Sequence, residues 1–579
     1  MKISDFVFHS FLWMFLFLIS PSEHQAQSID WVVTFGVTTD SVVGESFNNH
    51  SLRVDPTHGI VVGAFHEDTL WGPLAPFPRF QNEQETFFRI KANGVIDTSW
   101  AFSPTPPFGS LSSGFLQSTF RYDGGMMIVR GNRNFTDYNG TSNPFGLPTP
   151  LEYNILIQLN RQAQIQGYKN LRYFDWQKLA TDNTYKLYGL GYLDINFPNV
   201  IHDSSVQYVG LPDRAHLAIA RMDTVGKLKG FSTIGLFKGF VDPKLLKKEF
   251  AVSDQGLIGL ALEIRDTVYL PDTTLHTVRT FQQNAIGSRE TVVCRYDPDG
   301  ELEWFRHIRV ALDSSQSPFG GARIQPQQVD FDQDGNLYVL ISIQSNDEDR
   351  ITSGTDEIIP CFEFRDSENG SFILKYDFLG NLIWQQQVSC DDLYASLMSV
   401  DMMGNVYVAR PFWSSPDSAK LHEGPTIPPT LGPLDGRGLL LKYSPNGDYL
   451  WHQMFGDKFG HTIREIETLD AESLIIASGF NVSSKIGDTI VFARGASDFF
   501  IAQMDVCQPT IAASGRRGFC PDEGIWLHGN TCADRTYQWL RDGLPISGST
   551  SPDYLAEVSG GYQVILTHQS QSDTSEIFH

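Results

Sequence analysis

One short pattern recurs along this chain at a nearly constant interval and constrains the fold more than any other feature. An apolar strand ends in Asp and a tight turn, and a second apolar strand follows, as in 329–340 (VDFDQDGNLYVL). The marker aspartates are Asp55, Asp123, Asp182, Asp254, Asp332, Asp401 and Asp470. They lie 68, 59, 72, 78, 69 and 69 residues apart. Such a regular spacing is typical of a repeat architecture.

A second pattern lies between the copies of the first. Its clearest copies are 292–300 (VVCRYDPDG), 372–380 (FILKYDFLG) and 439–447 (LLLKYSPNG). Trp304, Trp384 and Trp451 follow four residues after the glycine of these copies. Alternating apolar residues bounded by Asp, Asn and Gly are typical of β-hairpins, in which glycine adopts the positive φ of the turn. Each repeat is therefore predicted to contain four strands in two linked hairpins.

Seven four-stranded repeats predict an all-β fold, a seven-bladed β-propeller over 28–506. The first repeat lacks its opening three strands and begins at 30–35 (DWVVTF). The last repeat supplies three strands, 463–470, 474–480 and 499–505, and stops before the Trp-bearing strand. We therefore expect the N-terminal strand to complete the last blade and close the ring.

The first 27 residues have the composition of a secretory signal peptide. Lys2 precedes the apolar run 6–20 (FVFHSFLWMFLFLIS), and a polar stretch follows it. A membrane span needs about 20 apolar residues, so an uncleaved anchor is the less favoured alternative. We expect a secreted or cell-surface protein with no membrane span in the mature chain. The net charge of −24 argues against nucleic acid as a partner.

A different module is predicted over 507–579, after the last repeat. The segments 537–546 (YQWLRDGLPI) and 560–567 (GGYQVILT) resemble the immunoglobulin-like (Ig-like) domains of bacterial surface proteins. The resemblance implies a β-sandwich in which Trp539 is the core tryptophan and Tyr562 the tyrosine-corner residue. Val564 then occupies the position that often holds the second cysteine, so the usual inter-sheet disulfide is not expected.

The repeats themselves resemble the bacterial β-propeller repeats known as SBBP repeats. The segments 372–384 (FILKYDFLGNLIW) and 487–505 (GDTIVFARGASDFFIAQMD) carry this resemblance. It is good over 290–505 and weaker before that, where Tyr168 and Phe231 stand in place of the tryptophan. The resemblance implies a secreted or surface-displayed protein.

Two turns carry closely spaced aspartates that could bind calcium. They are Asp330, Asp332 and Asp334 in one turn and Asp297 and Asp299 in the other. The first turn begins like a calcium-binding loop, but position twelve is Ile341 where such a loop needs a bidentate Glu. A hairpin turn is therefore the favoured interpretation, and no metal site is predicted.

Catalytic and cofactor signatures are also missing from the sequence. The segment 444–451 (SPNGDYLW) departs from the sialidase Asp box, because Asn446 and Asp448 replace the required Asp and Gly. The tryptophan ending resembles the tryptophan-docking repeats of quinone-dependent dehydrogenases, in which Trp packs one blade against the next and implies no cofactor. The histidines are scattered over several repeats, for example His202, His216, His307 and His461. No catalytic or cofactor-binding residue is predicted.

Six cysteines are few for an exported chain of this size, so disulfides are not expected to be its main source of stability. Cys361 and Cys390 bracket the hairpin 372–388 and could pair across its base. The remaining cysteines are Cys294, which lies within a strand, and Cys507, Cys520 and Cys532 near the C-terminus. Their pairing is left open.

The sequence favours a non-enzymatic exported protein that binds or displays an extracellular ligand, either a glycan or a protein. Recognition is expected in the long inserts between strands, since long loops often carry function. The large inserts 133–153 and 347–369 are expected to form the rims of the faces. The aromatic-rich inserts 65–80 and 410–433 could stack on sugars, but apolar packing over blade edges is the favoured interpretation. The alternative is a polysaccharide-active enzyme, a glycoside hydrolase or lyase, on the same scaffold. That alternative requires carboxylates or arginines that converge on one face of the ring.

Overall fold

Short antiparallel strands make up the regular structure, and no helix occurs among the described residues. The computed structural model describes residues 29–37, 51–55, 57–66, 70–71, 84–104, 117–130, 135–136, 155–161, 165–169, 174–193, 199–202, 206–209, 214–237, 246–265, 267–271, 273–276, 289–311, 323–344, 350–358, 369–389, 397–413, 419–420, 426–427, 436–455, 461–470, 472–480, 483–486, 489–493, 498–507, 509, 511–513, 524–529, 532, 535–568, 571–575 and 577–578. The predicted signal peptide, Cys361, Cys390 and Cys520 lie outside these residues.

The strands are numbered in chain order. The first group is β1 (Ile29–Val37), β2 (Ser51–Asp55), β3 (Gly59–His66), β4 (Leu70–Trp71), β5 (Gln84–Ile90), β6 (Ile96–Pro104), β7 (Gln117–Phe120), β8 (Met126–Arg130), β9 (Phe135–Thr136), β10 (Ile155–Leu159), β11 (Ile165–Lys169), β12 (Phe174–Thr181), β13 (Leu187–Leu193), β14 (Asn199–His202), β15 (Val206–Val209), β16 (Arg214–Met222) and β17 (Leu228–Phe237). The second group is β18 (Lys248–Val252), β19 (Ile258–Ile264), β20 (Thr267–Leu270), β21 (Thr273–His276), β22 (Glu290–Tyr296), β23 (Leu302–Ala311), β24 (Arg323–Phe331), β25 (Leu337–Gln344), β26 (Arg350–Ser353), β27 (Asp356–Ile358), β28 (Asn369–Tyr376), β29 (Leu382–Ser389), β30 (Leu397–Val400), β31 (Val406–Trp413), β32 (Ala419–Lys420), β33 (Thr426–Ile427), β34 (Gly436–Tyr443) and β35 (Tyr449–Phe455). The third group is β36 (His461–Thr468), β37 (Ser473–Phe480), β38 (Ser483–Ile486), β39 (Thr489–Phe492), β40 (Asp498–Asp505), β41 (Ile511–Ala513), β42 (Ile525–Gly529), β43 (Thr536–Arg541), β44 (Leu544–Pro545), β45 (Asp553–Ala556), β46 (Tyr562–His568) and β47 (Gln571–Thr574).

Within the described residues, seven sheets share one antiparallel four-strand order. Sheets 1 to 7 are β2-β3-β5-β6, β7-β8-β10-β11, β12-β13-β16-β17, β18-β19-β22-β23, β24-β25-β28-β29, β30-β31-β34-β35 and β36-β37-β40-β1. In each sheet a short turn joins the first strand to the second, and in sheets 1 to 6 another joins the third to the fourth. The longer connections leave from the opposite ends of the strands. We call these two ends the turn face and the loop face.

Sheet 7 combines the N-terminal strand β1 with three strands that lie more than 400 residues later in the chain, β36, β37 and β40. The N-terminal strand β1 pairs antiparallel with β40, with Val33 opposite Ile501 and Phe35 opposite Phe499. The rings of Phe35 and Phe499 stack with their centroids 4.6 Å apart. The expected pairing of 30–35 with the last repeat is therefore present, and strand β1 supplies the fourth strand of that sheet.

The first strand of every sheet, here called the inner strand, contacts the inner strands of two other sheets. These contacts join β2 to β7, β7 to β12, β12 to β18, β18 to β24, β24 to β30, β30 to β36, and β36 back to β2. The inner strands therefore surround a central space, which we call the channel. The described fold is all-β and propeller-like.

Both faces of a central strand are buried against neighbouring sheets. In β19, Leu260 packs into the cluster shared with sheet 3, while the next residue, Ala261, packs into the cluster shared with sheet 5. Cys294 and Val293 of β22 divide between the same two clusters. Successive strand residues point to opposite faces, so these strands are apolar throughout instead of alternating with polar residues.

The turns contain the predicted glycines and aspartates, but the aspartate does not occupy the same turn position in every sheet. Gly335 and Gly404 in the first turn of their sheets have φ of 76° and 84°, and Gly380 in a second turn has φ of 79°. Asp55, Asp182, Asp332 and Asp401 occupy the first position of their turns. In sheets 2, 4 and 7 that position is held by Arg121, Ser253 and Leu469, so Asp123, Asp254 and Asp470 lie further along the turn than the sequence pattern suggested.

The long inserts contribute strands to neighbouring sheets. The connection after the second strand of a sheet adds a strand to the outer edge of the preceding sheet in four places. These additions are β4 on β1, β9 on β6, β20 on β17, and β26 on β23. The inserts 133–153 and 347–369, expected at the rims, and 65–80, expected to pack over blade edges, are thus partly strands that extend outer edges. Most of their remaining residues lie outside the described ranges.

Two small sheets follow the ring. They are β41-β42-β45 and β44-β43-β46-β47. Trp539 is completely buried between them, and its Nε1 donates a hydrogen bond to Ser551 O at 2.9 Å. The Tyr562 hydroxyl donates to Val558 O, four residues earlier in the chain. Val564 is also completely buried, and Cys507 is bonded to Cys532.

Candidate functional site

The turn aspartates are structural acceptors. Asp332 Oδ1 accepts a hydrogen bond from Asn336 N at 2.9 Å, and its Oδ2 accepts one from the Tyr338 hydroxyl at 3.0 Å. Lys375 Nζ lies 3.4 Å from the same Oδ2. Asp401 accepts from Asn405 N and from Tyr407 in the same way. A tyrosine six residues after the aspartate marks this arrangement in the sequence, and the sequence analysis overlooked it.

The possible calcium turn does not bring its aspartates together as ligands. Asp330 accepts hydrogen bonds from Val400 N and Phe331 N, both at 2.8 Å. Asp332 is occupied by the turn and by Tyr338, and Asp334 is exposed. In the other turn Asp297 accepts from Glu301 N at 2.8 Å. Among the described residues, no group of three or more His, Cys, Asp or Glu side chains is placed to hold a metal ion.

The predicted tryptophans pack one sheet against the next. Trp304 Nε1 donates to Phe378 O at 3.2 Å, and Trp384 Nε1 donates to Pro445 O at 2.9 Å. Each acceptor lies in the second turn of the following sheet. Trp31 makes the same contact with Ala92 O at 2.8 Å across the junction of sheets 7 and 1. These rings are structural in the described part of the chain.

The other candidate motifs are also structural. Ser444 Oγ accepts hydrogen bonds from Asn446 N and Asp448 N, so the partial Asp box is an ordinary hairpin turn. His307 and His216 lie in separate sheets, at β23 and β16. His307 Nε2 lies 2.6 Å from the buried Glu290 Oε2. The side chains of His202 and His461 are outside the described part of the structure.

Polar contacts connect the inner strands around the channel. They are Arg53 Nε to Ser118 O (3.0 Å), Thr119 Oγ1 to Thr181 Oγ1 (2.9 Å), the Lys178–Glu249 ion pair, Lys247 Nζ to Gln327 Oε1 (3.0 Å), Val400 N to Asp330 Oδ2 (2.8 Å) and Thr468 N to Ser399 Oγ (3.0 Å). An inner strand has no sheet partner on its channel side, so its edge N–H groups need other acceptors. Side chains of the preceding inner strand supply them at Val400 and Thr468.

Carboxyl groups of several sheets converge on the channel. Glu465 of sheet 7 interacts electrostatically with Lys178 of sheet 3 and Glu249 of sheet 4. Sheets 3 and 4 do not adjoin sheet 7, so these groups must face one another across the central space. Asp330 of sheet 5 and Glu467 of sheet 7 interact across it as well. The channel carboxylates are therefore Glu249, Asp330, Glu465 and Glu467.

The channel environment favours protonated carboxyl groups. Burial raises the pKa of Glu465 to about 8, while the positive charge of Arg53 opposes that shift. Burial likewise raises the pKa of Glu467, and that of Asp330 to about 7. All three side chains nevertheless keep partial exposure. A narrow water-accessible channel accounts for both facts, because protein surrounds the groups on all sides and only a small solvent surface remains.

Neither Glu465 nor Glu467 has a hydrogen-bond partner among the described residues. Their strand β36 has a bulge between Ile463 and Glu465, which shifts the register of the side chains that follow. Ile466, between the two glutamates, is buried in the sheet core. The two carboxyl groups are therefore available to a ligand from the channel.

Sequence reasoning did not identify these residues. The only signal in the local sequence is a set of charged residues around a single apolar one, as in 464–467 (REIE). A solvent-exposed strand would show the same pattern. Their convergence depends on ring closure, which brings residues hundreds of positions apart into one space.

Within the described residues, no helix is long and apolar enough to cross a membrane.

No known protein family matches this chain, and no curated protein does. Similar solved structures include an ulvan lyase of the polysaccharide lyase family PL25, with 10% identity over 80% of this chain and 97% of the lyase, and a TM-score of 0.37. A DUF4221 protein from Bacteroides vulgatus has 10% identity over 69% of this chain and 95% of its own, and a TM-score of 0.29. An apocarotenoid oxygenase variant from Synechocystis has 10% identity, coverages of 83% and 94%, and a TM-score of 0.35.

Proposed function

We propose that this chain is an exported, non-enzymatic binding protein that recognises a polar extracellular ligand at the channel of a seven-bladed β-propeller. The convergence of Glu465 and Glu467 with Arg53 in a water-accessible channel carries the proposal. Carboxyl groups exchange hydrogen bonds with hydroxyl groups, and a guanidinium donates to oxygen acceptors. A glycan presents both kinds of partner, so a glycan is the ligand class that this lining fits best.

The proposed propeller and its appendage are supported separately. The closed cycle of inner-strand contacts and the β1–β40 pairing support a ring of seven blades. The buried Trp539 and the Tyr562–Val558 hydrogen bond support an Ig-like sandwich over 507–579. The turn and tryptophan contacts support SBBP-type repeats. Export is supported by the apolar run 6–20 alone.

The binding function is tested with a glycan array followed by calorimetry on the hits. We expect Glu465→Ala together with Glu467→Ala to weaken binding at least about tenfold, because the channel then lacks both hydrogen-bonding carboxyl groups. Glu301→Ala is the matched control, because Glu301 is exposed at the turn face. Unchanged affinity in the double variant would reject the channel as the binding site.

A second candidate function is a polysaccharide-active enzyme, and the raised pKa of Glu465 favours it. A carboxylic acid with a pKa of about 8 keeps its proton at neutral pH and can act as a general acid in glycosidic bond cleavage. Reducing-sugar release and formation of unsaturated uronates from a polysaccharide panel test this activity. Release that Glu465→Gln abolishes and Glu301→Gln preserves would support the enzyme. Glycan binding without release would reject it.

A further inference from the structure

Four cationic side chains gather around one buried carboxylate at the loop face of sheets 4 and 5. They are Lys247, Arg265, Arg289 and Arg323, which we call the basic cluster, and the carboxylate is Glu263. The topology explains the gathering. Strands β18, β22 and β24 begin at the loop face and β19 ends there, so residues at these strand ends meet.

Glu263 is completely buried, and both of its oxygens are used within the cluster. Oε1 accepts a hydrogen bond from Arg265 Nε at 2.9 Å and lies 3.6 Å from Arg289 Nη1. Oε2 accepts one from Gln325 Nε2 at 2.7 Å. Oε2 also accepts one from Lys247 N at 3.3 Å, so this carboxylate already serves four groups.

Within the described part of the chain, the cluster therefore has more positive than negative charge. The next carboxylate, Glu249, is paired with Lys178. Among the described residues Arg323 has no ion-pair partner, and its buried Nε has no hydrogen-bond acceptor. Like charges this close disfavour each other, particularly where little water screens them.

The backbone holds two of these arginines side by side. Arg289 and Arg323 form a parallel β-bridge, and Ile324 N donates to Arg289 O at 2.7 Å. The Arg265 and Arg289 side chains remain 20% and 19% exposed, so a ligand can reach them from the loop face. Burial lowers the pKa of Arg289, and the charges of Arg265 and Arg323 lower it further while Glu263 opposes them.

We propose that the basic cluster binds a carboxylate or sulfate group of an acidic polysaccharide. An incoming anion would supply the acceptor oxygens that Arg323 lacks among the described residues, and planar guanidinium groups pair with such anions through two parallel hydrogen bonds. This second site shares no residue with the site of Glu465, Glu467 and Arg53. The inference that an anion binds here is drawn from the basic cluster itself. The inference that this anion belongs to a polysaccharide rests on the proposed function.

Calorimetry on the full mature chain tests the site with three polymers. Oligogalacturonate presents carboxylates, dextran sulfate presents sulfates, and neutral dextran presents neither. We expect the chain to bind at least one acidic polymer, to bind it more weakly as salt is raised, and to ignore neutral dextran. Binding to one acidic polymer alone would identify which anion the cluster accepts.

Substitutions in the basic cluster test whether the acidic polymer binds there. We expect Arg323→Gln and Arg265→Gln each to weaken it at least about tenfold, while Arg323→Lys, which keeps the charge, loses less. Lys229→Gln is the matched control, because Lys229 is 56% exposed and lies at the turn face of sheet 3, at the opposite end of the strands from the cluster. Both arginine variants should keep the wild-type affinity for a neutral glycan that binds at the channel, which separates this site from the channel.

Two results would overturn the proposal. One is a wild-type chain that binds neither acidic polymer at low salt. The other is wild-type affinity in both glutamine variants. Should Arg323→Gln fail to fold, Arg265→Gln decides the outcome by itself, since that side chain is partly exposed.

Discussion

A single turn aspartate can hold several strands in place. Asp332 is buried and accepts hydrogen bonds from its own turn and from Tyr338, beside the ammonium group of Lys375. The Tyr338 hydroxyl also lies 3.2 Å from the Gly404 carbonyl oxygen in sheet 6. The aspartate thus contributes to the geometry of two sheets although its position in the sequence indicates only a turn.

We expect Asp332→Ala to destabilise the protein by about 2–4 kcal/mol, because the buried ammonium group of Lys375 loses its counterion and Asn336 N loses its acceptor. Urea unfolding followed by tryptophan fluorescence measures the loss. Asp334→Ala, at an exposed position of the same turn, should change stability by less than about 0.5 kcal/mol. Equal effects of the two substitutions would contradict the structural role of Asp332.

Glu465 gives stability an unusual dependence on pH. Its pKa rises from 4.5 to about 8 on folding, so between these values the folded chain holds a proton that the unfolded chain has lost. The contribution of this group to stability therefore falls as pH rises through that range. We expect the melting temperature of Glu465→Gln to change less with pH between pH 5 and pH 8 than that of the wild type. Glu301→Gln should keep the wild-type profile, and a wild-type slope in Glu465→Gln would contradict the pKa assignment.

Sequence and structure agree best where the chemistry is local. Turn glycines and docking tryptophans are specified within about ten residues, so Gly380 and Trp304 could be predicted from the pattern. The channel glutamates could not, because Glu465 meets Lys178 only after the ring has closed. The shifted turn position of Ser253 was hidden for a different reason. The hydroxyl of Ser253 performs the aspartate's task, and Asp254 beside it produced the apparent match.

At the scale of the strand and turn, a tryptophan on one sheet requires a glycine on the next. Gly380 has φ of 79°, and a Cβ built on it would lie 2.6 Å from Trp304 Cδ2. The same pairing recurs between Gly447 and Trp384 and between Gly94 and Trp31. Glycine therefore serves the turn and the packing of the next sheet at once.

We expect Gly380→Ala to cost about 2–4 kcal/mol, since the positive φ and the clash with the indole ring add. Gly354→Ala is the control. Gly354 has φ of 63°, but its nearest contact, Arg306 Cδ, is an ordinary 3.4 Å away, so about 1 kcal/mol of backbone cost is expected. Urea unfolding of both variants gives the difference. Similar losses of unfolding free energy in the two variants would mean that the clash with Trp304 adds nothing to the cost of Gly380→Ala.

The edge strands explain why some inserts could not be interpreted from sequence. Strands such as β4 and β9 have two residues each. Segments this short carry no periodicity, and pairing with the outer strand of another sheet decides their structure. They also cover outer edges that would otherwise offer unpaired N–H and C=O groups to other chains.

At the scale of the whole molecule, strand β1 determines whether the ring is closed. Besides its pairing with β40, the Trp31 indole N–H lies within hydrogen-bond distance of Ala92 O and Gln503 Oε1. A chain that lacks 29–37 should therefore melt at a lower temperature and aggregate, because sheet 7 keeps an open edge. A thermal melt with light scattering measures both effects.

Addition of the separate peptide 29–37 should restore stability in proportion to its concentration, as expected for a ligand of the folded state. A peptide of scrambled sequence is the control and should have no effect. If the shortened chain melted at the wild-type temperature, β1 would be dispensable for closure.

The position of β1 also has a consequence for the order of folding. Trp31 and Gln503 are 472 residues apart in the chain. Contacts between such distant residues form slowly, because the entropy of closing the intervening loop is lost before the contact stabilises anything. Strand β1 is synthesised before the other described strands and is thus among the last of them to find its partner. Until β40 has been made, a nascent chain holds an apolar strand that must be kept from wrong partners, and the pairing of β1 with β40 ends this exposure.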